Sequence, residues 1–179
     1  QTISVLANDI GTGLTVSSYD HTSTHGGTVV MQSNGTYVYT PPTGFSGIDT
    51  FTYTATDSSG QTTTATVTIT VTPHAVNNTG MTVANTPLNQ TTSVLQNDVG
   101  LWLTVTSYDH TSTQGGTIVM QTDGTYVYTP PTGFSGIDTF MYTATDSSDQ
   151  STSATVTITV TPHANNDTAT TDANTPLNQ

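Results

Sequence analysis

From Thr64 to Thr72 every apolar residue is flanked by threonine: Ala65, Val67, Ile69 and Val71 alternate with Thr64, Thr66, Thr68, Thr70 and Thr72. A period of two sends one row of side chains to a buried face and the other to water, which defines a strand. Threonine suits the outer row because it is β-branched and polar. The segment Thr50 to Thr56 alternates in the same way and points Phe51, Tyr53 and Ala55 inward. Upstream, Leu14 to Ser17 and Thr28 to Gln32 read as strands, and Thr36 to Thr40 returns antiparallel after a two-residue Asn34-Gly35 turn. Pro41 to Gly47 is a corner, with Phe45 as its expected plug. No stretch has helical periodicity. About seven short strands separated by turn signals predict a β-sandwich.

The whole pattern then repeats. Gln1-Thr2 returns at Gln90-Thr91 and Gln179 begins it again, a period of about 89 residues with roughly four positions in five identical. Strand patterning stops at Pro73 and at Pro162, so His74 to Thr79 and His163 to Thr168 are junctions. Met81 to Val83 with Pro87-Leu88 then predicts the first strand of the sandwich that follows. The phase divides the chain into residues 1–73, a repeat lacking its first strand; residues 74–162, a complete repeat; and residues 163–179, a linker plus first strand with no sandwich behind it. The expectation is continuation beyond both ends: covalent, within a longer polypeptide, or by strand addition into a neighbouring copy that buries Leu177.

Composition narrows the partners. The chain has no Lys or Arg, and its twelve acidic residues, all Asp, give a formal net charge of −12. Phosphate neutralisation needs cationic side chains, so nucleic acid and anionic membrane surfaces are excluded as electrostatic partners. Metal cations remain. The lack of Lys and Arg also removes every trypsin-type cleavage site. There is no cysteine, no apolar run of membrane-spanning length and no signal-peptide pattern at the N-terminus, which leads us to expect an excerpt or a processed form.

The run Gly35 to Tyr53 followed by Thr56-Asp57, together with Val5 to Asp9, Leu14 to Val16 and the linker Ala164 to Thr168, resembles the bacterial Ig-like, cadherin-like tandem repeat of large surface proteins and adhesins. The resemblance covers both repeats. It implies tandem all-β Greek-key sandwiches, an extracellular or cell-surface location and, frequently, calcium at module junctions. The calcium ligands it implies are Asn77, Asn78, Asn97, Asp98 and Asp146, with Asn166 and Asp167 starting another site and Asn8, Asp9 and Asp57 matching in the first repeat. The acidic run that usually follows the Asn-Asp pair is replaced by Ile10 to Gly13 and by Val99 to Trp102, and Asn77-Asn78 carries no carboxylate. Those Asn and Asp residues read equally as turn caps.

Other candidate chemistry is weaker. Asp20-His21-Thr22-Ser23 and Asp109 to Ser112 offer acid, imidazole and hydroxyl, but four neighbours in a loop do not converge as a catalytic triad does, so a solvated loop is expected. Gln61 and Gln150 are the candidates for Thr–Gln ester cross-links. Asn34, Asn77, Asn89 and Asn166 head glycan-acceptor triplets. Trp102 stands where the first repeat has Gly13 and could pack on the preceding module. The function expected is a structural segment of an extracellular fibre, filament or stalk, with copies of itself as partner and no enzymatic activity. The alternative is an adhesin module for a glycan or cell surface.

Overall fold

The computed structural model describes residues 3–178; the repeat marks Gln1, Thr2 and Gln179 lie outside the described residues. The chain forms two β-sandwiches joined end to end. The first holds β1 (Thr15–Tyr19), β2 (Thr28–Met31), β3 (Tyr37–Thr40), β4 (Gly47–Thr56) and β5 (Thr62–Val71). The second holds β6 (Asn78–Val83), β7 (Leu88–Gln90), β8 (Thr104–Tyr108), β9 (Thr117–Met120), β10 (Tyr126–Thr129), β11 (Gly136–Thr145) and β12 (Ser151–Thr161). One sheet of the second module runs β6-β12-β11-β8 and the other β7-β10-β9; the first module has β1-β4-β5 and β2-β3.

Alternation places the cores. Phe140, Tyr142 and Ala144 of β11 and Ala154, Val156, Ile158 and Val160 of β12 are buried, while the threonines between them line the outer face. The β4–β5 and β11–β12 hairpins pair without a slip along their whole length, from Gly47↔Val71 to Thr56↔Thr62 and from Gly136↔Val160 to Thr145↔Ser151. A one-residue slip would turn the threonine row inward, so the register is strongly specified.

The Asn34-Gly35 turn differs from the two-residue expectation. Gln32 and Thr36 close the hairpin around a three-residue loop, and only Gly35 takes positive φ (80°). Asn34 instead folds its Oδ1 onto the Thr36 amide at 3.0 Å, which fixes the turn from the side chain. The segment after the junction also differs from expectation. Residues 78–90 form two strands in different sheets: β6 pairs in parallel with β12, from Val156↔Asn78 to Thr161↔Val83, and β7 pairs antiparallel with β10 at Tyr128↔Leu88. The change of sheet is made by a turn in which Thr82 Oγ1 donates to the Thr86 carbonyl (2.7 Å) and Asn85 takes a left-handed φ of 62°.

Candidate functional site

Three features of this scaffold differ from a plain sandwich: an uncovered sheet edge, a module joint and a buried carboxylate in each module.

The open edge belongs to the first module. Among the described residues no strand pairs with the outer edge of β5 or of β3, the edges that β6 and β7 cover in the second module. The cores differ accordingly. Val156, Ile158, Tyr126 and Tyr128 are 0–4% exposed, whereas the equivalent Val67, Ile69, Tyr37 and Tyr39 are only half-buried. Residues 163–178, which repeat the covering segment, form no strand and are exposed throughout.

The joint is built from the Ser46-Gly47 corner of the first module, which is buried against the second. Leu101 N–H donates to Ser46 Oγ at 3.0 Å. His74 and Val99 exchange two backbone bonds of 2.8 Å, and Ala75 N–H donates to Thr152 Oγ1 at 3.1 Å. Asp146 is buried beside Ser46 (5% exposed). Its Oδ1 caps the turn by accepting from Ser148 and Gln150 N–H, and its Oδ2 has no partner. Burial pushes this carboxyl up, but the Ser46 hydroxyl beside it and the backbone donors of Gln150 and Ser148 outweigh burial and hold it low. The same corner at the far end of the second module, Ser135-Gly136, is exposed.

The residues named as calcium ligands take several places. Asp98 accepts from Val76 N–H (2.8 Å) and from the Tyr142 hydroxyl (2.8 Å). Asn78 Nδ2 donates to the Val76 and Val94 carbonyls and to Tyr142. Asn77 Oδ1 accepts from Thr155 N–H (2.9 Å), and Asn97 Nδ2 makes long contacts with the Val76 and Asn77 carbonyls. Asp9 accepts from Tyr53, Asp57 caps the turn at Ser59 and Gln61, Asn8 is exposed, and Asn166 and Asp167 lie in the exposed terminal segment. Calcium takes six to eight oxygens. Among the described residues no group of three His, Cys, Asp or Glu side chains converges. Among the described residues Asp146 Oδ2 is a buried acceptor with no hydrogen bond of ordinary geometry, the Ser46 hydroxyl lying beside it.

The buried carboxylates, Asp49 and Asp138, lie two residues before Phe51 and Phe140 on the inward row of β4 and β11; the alternation places them inside, and what it does not show is the set of donors that receives a charge there. Both are 0% exposed. Asp138 Oδ2 accepts from Ser112 Oγ (2.5 Å) and Tyr128 Oη (2.7 Å), and Oδ1 from Thr113 Oγ1, Gln114 N–H and its neighbour Thr139 N–H at 2.8–2.9 Å. Asp49 has the same set in Ser23, Tyr39, Thr24, His25 and Thr50. Burial raises both carboxyls, but this ring of donors more than offsets it and leaves them well below the usual carboxylate range. Burial and the adjacent carboxylate push Tyr39 up to about 12.

Ser23 and Ser112 are therefore not in a solvated loop: they are buried and hold the carboxylate. Asp20 also has a structural task, accepting from Thr52 N–H and Oγ1 at 2.7 Å. His21 lies tilted against the Tyr19 ring at 57°, and His25, 54% exposed, approaches Asp49 Oδ1 while Ser23 holds Oδ2. With the carboxylate between serine and imidazole, the imidazole cannot take the serine proton, so this is not a triad. Trp102 is 82% exposed and does not pack on the first module; its φ of 55° repeats the left-handed turn that Gly13 makes at 67°. Phe45 is half-buried and stacks on His25 rather than plugging the core. Gln61 is exposed and Gln150 half-buried in the turns before β5 and β12, and Asn89 and Asn166 are exposed.

Comparison with known proteins agrees with the repeat. The family described as bacterial Ig domain matches twice, over residues 1–70 and 71–159. No curated protein matches the chain. Among solved structures it is similar to human desmocollin-1 ectodomain (11% identity, TM-score 0.38, 89% of this chain and 35% of that one). It is also similar to domains 3–6 of protocadherin gamma B2 (14%, 0.35, 84% and 43%) and to the first two domains of human mucin-like protocadherin (15%, 0.34, 86% and 85%). The chain spans less than half the length of the first two.

Proposed function

We propose that this chain, which belongs to the bacterial Ig domain family, is a structural segment of an extracellular fibre or surface stalk, built from copies of the same module stacked end to end. The observation that carries this reading is the joint. It is made by the Ser46-Gly47 corner, the Pro73-His74 junction and the Val99–Leu101 loop, and Ser135-Gly136 with Pro162-His163 offers the same corner and junction again at the exposed end of the second module. A surface that recurs once per repeat propagates a linear array. The reading is non-enzymatic, since the Ser–Asp pairs are spent on holding the core. Among the described residues no helix is long and apolar enough to cross a membrane.

Calcium belongs to this reading as a finer proposal, with Asp146 Oδ2 as its entry point; Asp98, Asn77, Asn78 and Asn97 gather separately around Val76, Tyr142 and Thr155. Adhesion is the second reading; the observation in its favour is the exposed ring of Trp102, a surface on which a sugar face could stack. The test is immunogold electron microscopy of native material with antibodies against this chain. Label along extracellular filaments with an axial period of about 40 Å, the length of one such sandwich, is expected. Label confined to the cytoplasm overturns the proposal.

A further inference from the structure

The second module holds a pocket that neither the joint nor the buried carboxylate uses. β6 and β7 belong to different sheets, and the 3₁₀ turn Val94–Asn97 follows β7. Between these elements lies a hollow of about 170 Å³, lined among others by Asn78, Thr79, Gln90, Thr92, Gln96 and Tyr126. No charged side chain lines it.

Tyr126 gives the hollow its meaning. It is 4% exposed, lines the pocket, and its hydroxyl makes no hydrogen bond among the described residues. The other deeply placed tyrosines, Tyr39, Tyr53, Tyr128 and Tyr142, each donate to an aspartate. Burial is the only cause that pushes the Tyr126 phenol up to about 12. A hydroxyl shut away from water without a partner costs about 1–3 kcal/mol, so this one is satisfied by what enters the pocket. The amides beside it are also uncommitted. Gln90 and Gln96 make no side-chain hydrogen bond among the described residues, and Thr79, Thr92 and Gln96 are exposed. Asn78 spends its Nδ2 on Val76, Val94 and Tyr142, which leaves Oδ1 as an acceptor.

The pocket therefore offers amides, hydroxyls and one aromatic side chain, all neutral. Sugar hydroxyls both donate and accept, and such groups match them. An anion would find no cation in a chain of net charge −12, and a metal ion would find no carboxylate here. Gln90 and Tyr126 also line an adjoining, more open hollow of about 380 Å³ with Asn89, Gln121 and Thr125, which gives room for a further ring. The two repeats differ at this place. The first has Ile3 where the second has Thr92, and Ala7 where the second has Gln96. Two polar liners are thus peculiar to this copy in a sequence otherwise mostly repeated. We infer that the pocket between β6, β7 and the turn Val94–Asn97 binds one neutral pyranose unit, held by the Tyr126 hydroxyl and the Gln90 and Gln96 amides. This does not rest on the fibre reading, and Trp102 is not among the lining residues.

The test is a ¹⁵N–¹H correlation titration of the 179-residue chain. The probes are glucose, galactose, mannose and N-acetylglucosamine, each as free sugar and as methyl glycoside, with glucuronic acid and N-acetylneuraminic acid as charged controls. At least one neutral sugar is expected to shift the Gln90 and Gln96 side-chain amides saturably, with a Kd of about 1 mM or below, and the two acids to shift neither. Methyl glycoside binding as tight as the free sugar points to a glycan end, and tighter binding of the free sugar to a soluble one; both support the pocket. Gln96→Ala, which restores the residue of the first repeat, and Tyr126→Phe should each weaken binding about fivefold or more. Tyr126→Phe should also leave the urea midpoint of the module unchanged or raise it, because it removes a hydroxyl that no protein group satisfies. No shift at these amides with any neutral sugar at about 50 mM means that the pocket holds water only and overturns the inference. So do binding undiminished in both variants, equal binding of the acids, or a lowered midpoint in Tyr126→Phe with binding unchanged.

Discussion

Substituting Asp138 separates a structural carboxylate from an incidental one. In Asp138→Asn, Oδ1 keeps its three donors while the new amide replaces the acceptor of Ser112 and Tyr128. Ser112 can turn to the Gly116 carbonyl (3.2 Å), but the fully buried Tyr128 loses its charged acceptor and keeps at best the Ser112 oxygen beside it. One weakened buried donor and the loss of charge-assisted bonding together cost about 2–3 kcal/mol. A module of this size has about 4–13 kcal/mol of stability, so the second unfolding transition should move far in urea with its slope unchanged. Asp138→Ala, which also strands the Gln114 N–H, should cost about 2–6 kcal/mol and could leave the module unfolded. Tyr128→Phe removes one charged hydrogen bond, about 1.5–3 kcal/mol, and combined with Asp138→Asn it should cost at least about 1 kcal/mol less than the two separately. The pH dependence has a definite sign. The folded carboxyl lies below its unfolded value, so its contribution is present above about pH 4 and is lost as pH falls through the folded pKa; Asp138→Asn should flatten that acid limb. Urea titrations followed by circular dichroism at several pH values measure all of this. A loss under about 0.5 kcal/mol for Asp138→Asn, with no coupling to Tyr128, would refute the reasoning.

The remaining predictions concern other parts of the chain. Calorimetry of the chain at dilution should show two transitions, the lower from the first module, whose β5 face is half-exposed; a single transition counts against the open edge. Tyr53 and Tyr126 are raised to about 12, Tyr53 by burial and then by Asp9, Tyr126 by burial. Their contribution is therefore intact below about pH 10 and lost as pH rises from there through about 12, which an alkaline melting series reads directly. Trp102→Gly relieves an exposed aromatic residue at φ 55° and should raise the stability of the second module by about 1 kcal/mol; a fall in its urea midpoint contradicts the strain. Any stabilisation by added calcium at the joint should vanish in Asp146→Asn, which keeps the turn cap but removes the orphaned charge; an unchanged calcium response moves the cation elsewhere.

The strand pattern was legible because alternation is local. Thr64 to Thr72 needs no tertiary information to be a half-buried strand, and it is one. The period and its phase were equally plain from residues alone. The chain order could not show that residues 78–90 split between two sheets, because the turn at Thr82 and Asn85 looks like any loop until the two edges it serves are in place. Ser23 and Asp20 read as loop residues because nothing nearby in sequence says that Asp49, twenty-six residues past Ser23, accepts the Ser23 hydroxyl, or that Asp20 accepts from Thr52. Trp102 invited a packing role by its size, and the structure gave it the exposed left-handed turn that Gly13 fills in the first repeat.

The sequence by itself determined the fold class, the inward row of each long strand and the repeat, since each depends on local periodicity. The tertiary structure alone decided that the segment after the junction divides between two sheets, how the Ser46 corner seats the next module, and which donors gather around Asp49 and Asp138. Those depend on groups far apart in the chain, whose hydrogen bonds and apolar contacts form only once the sheets face one another.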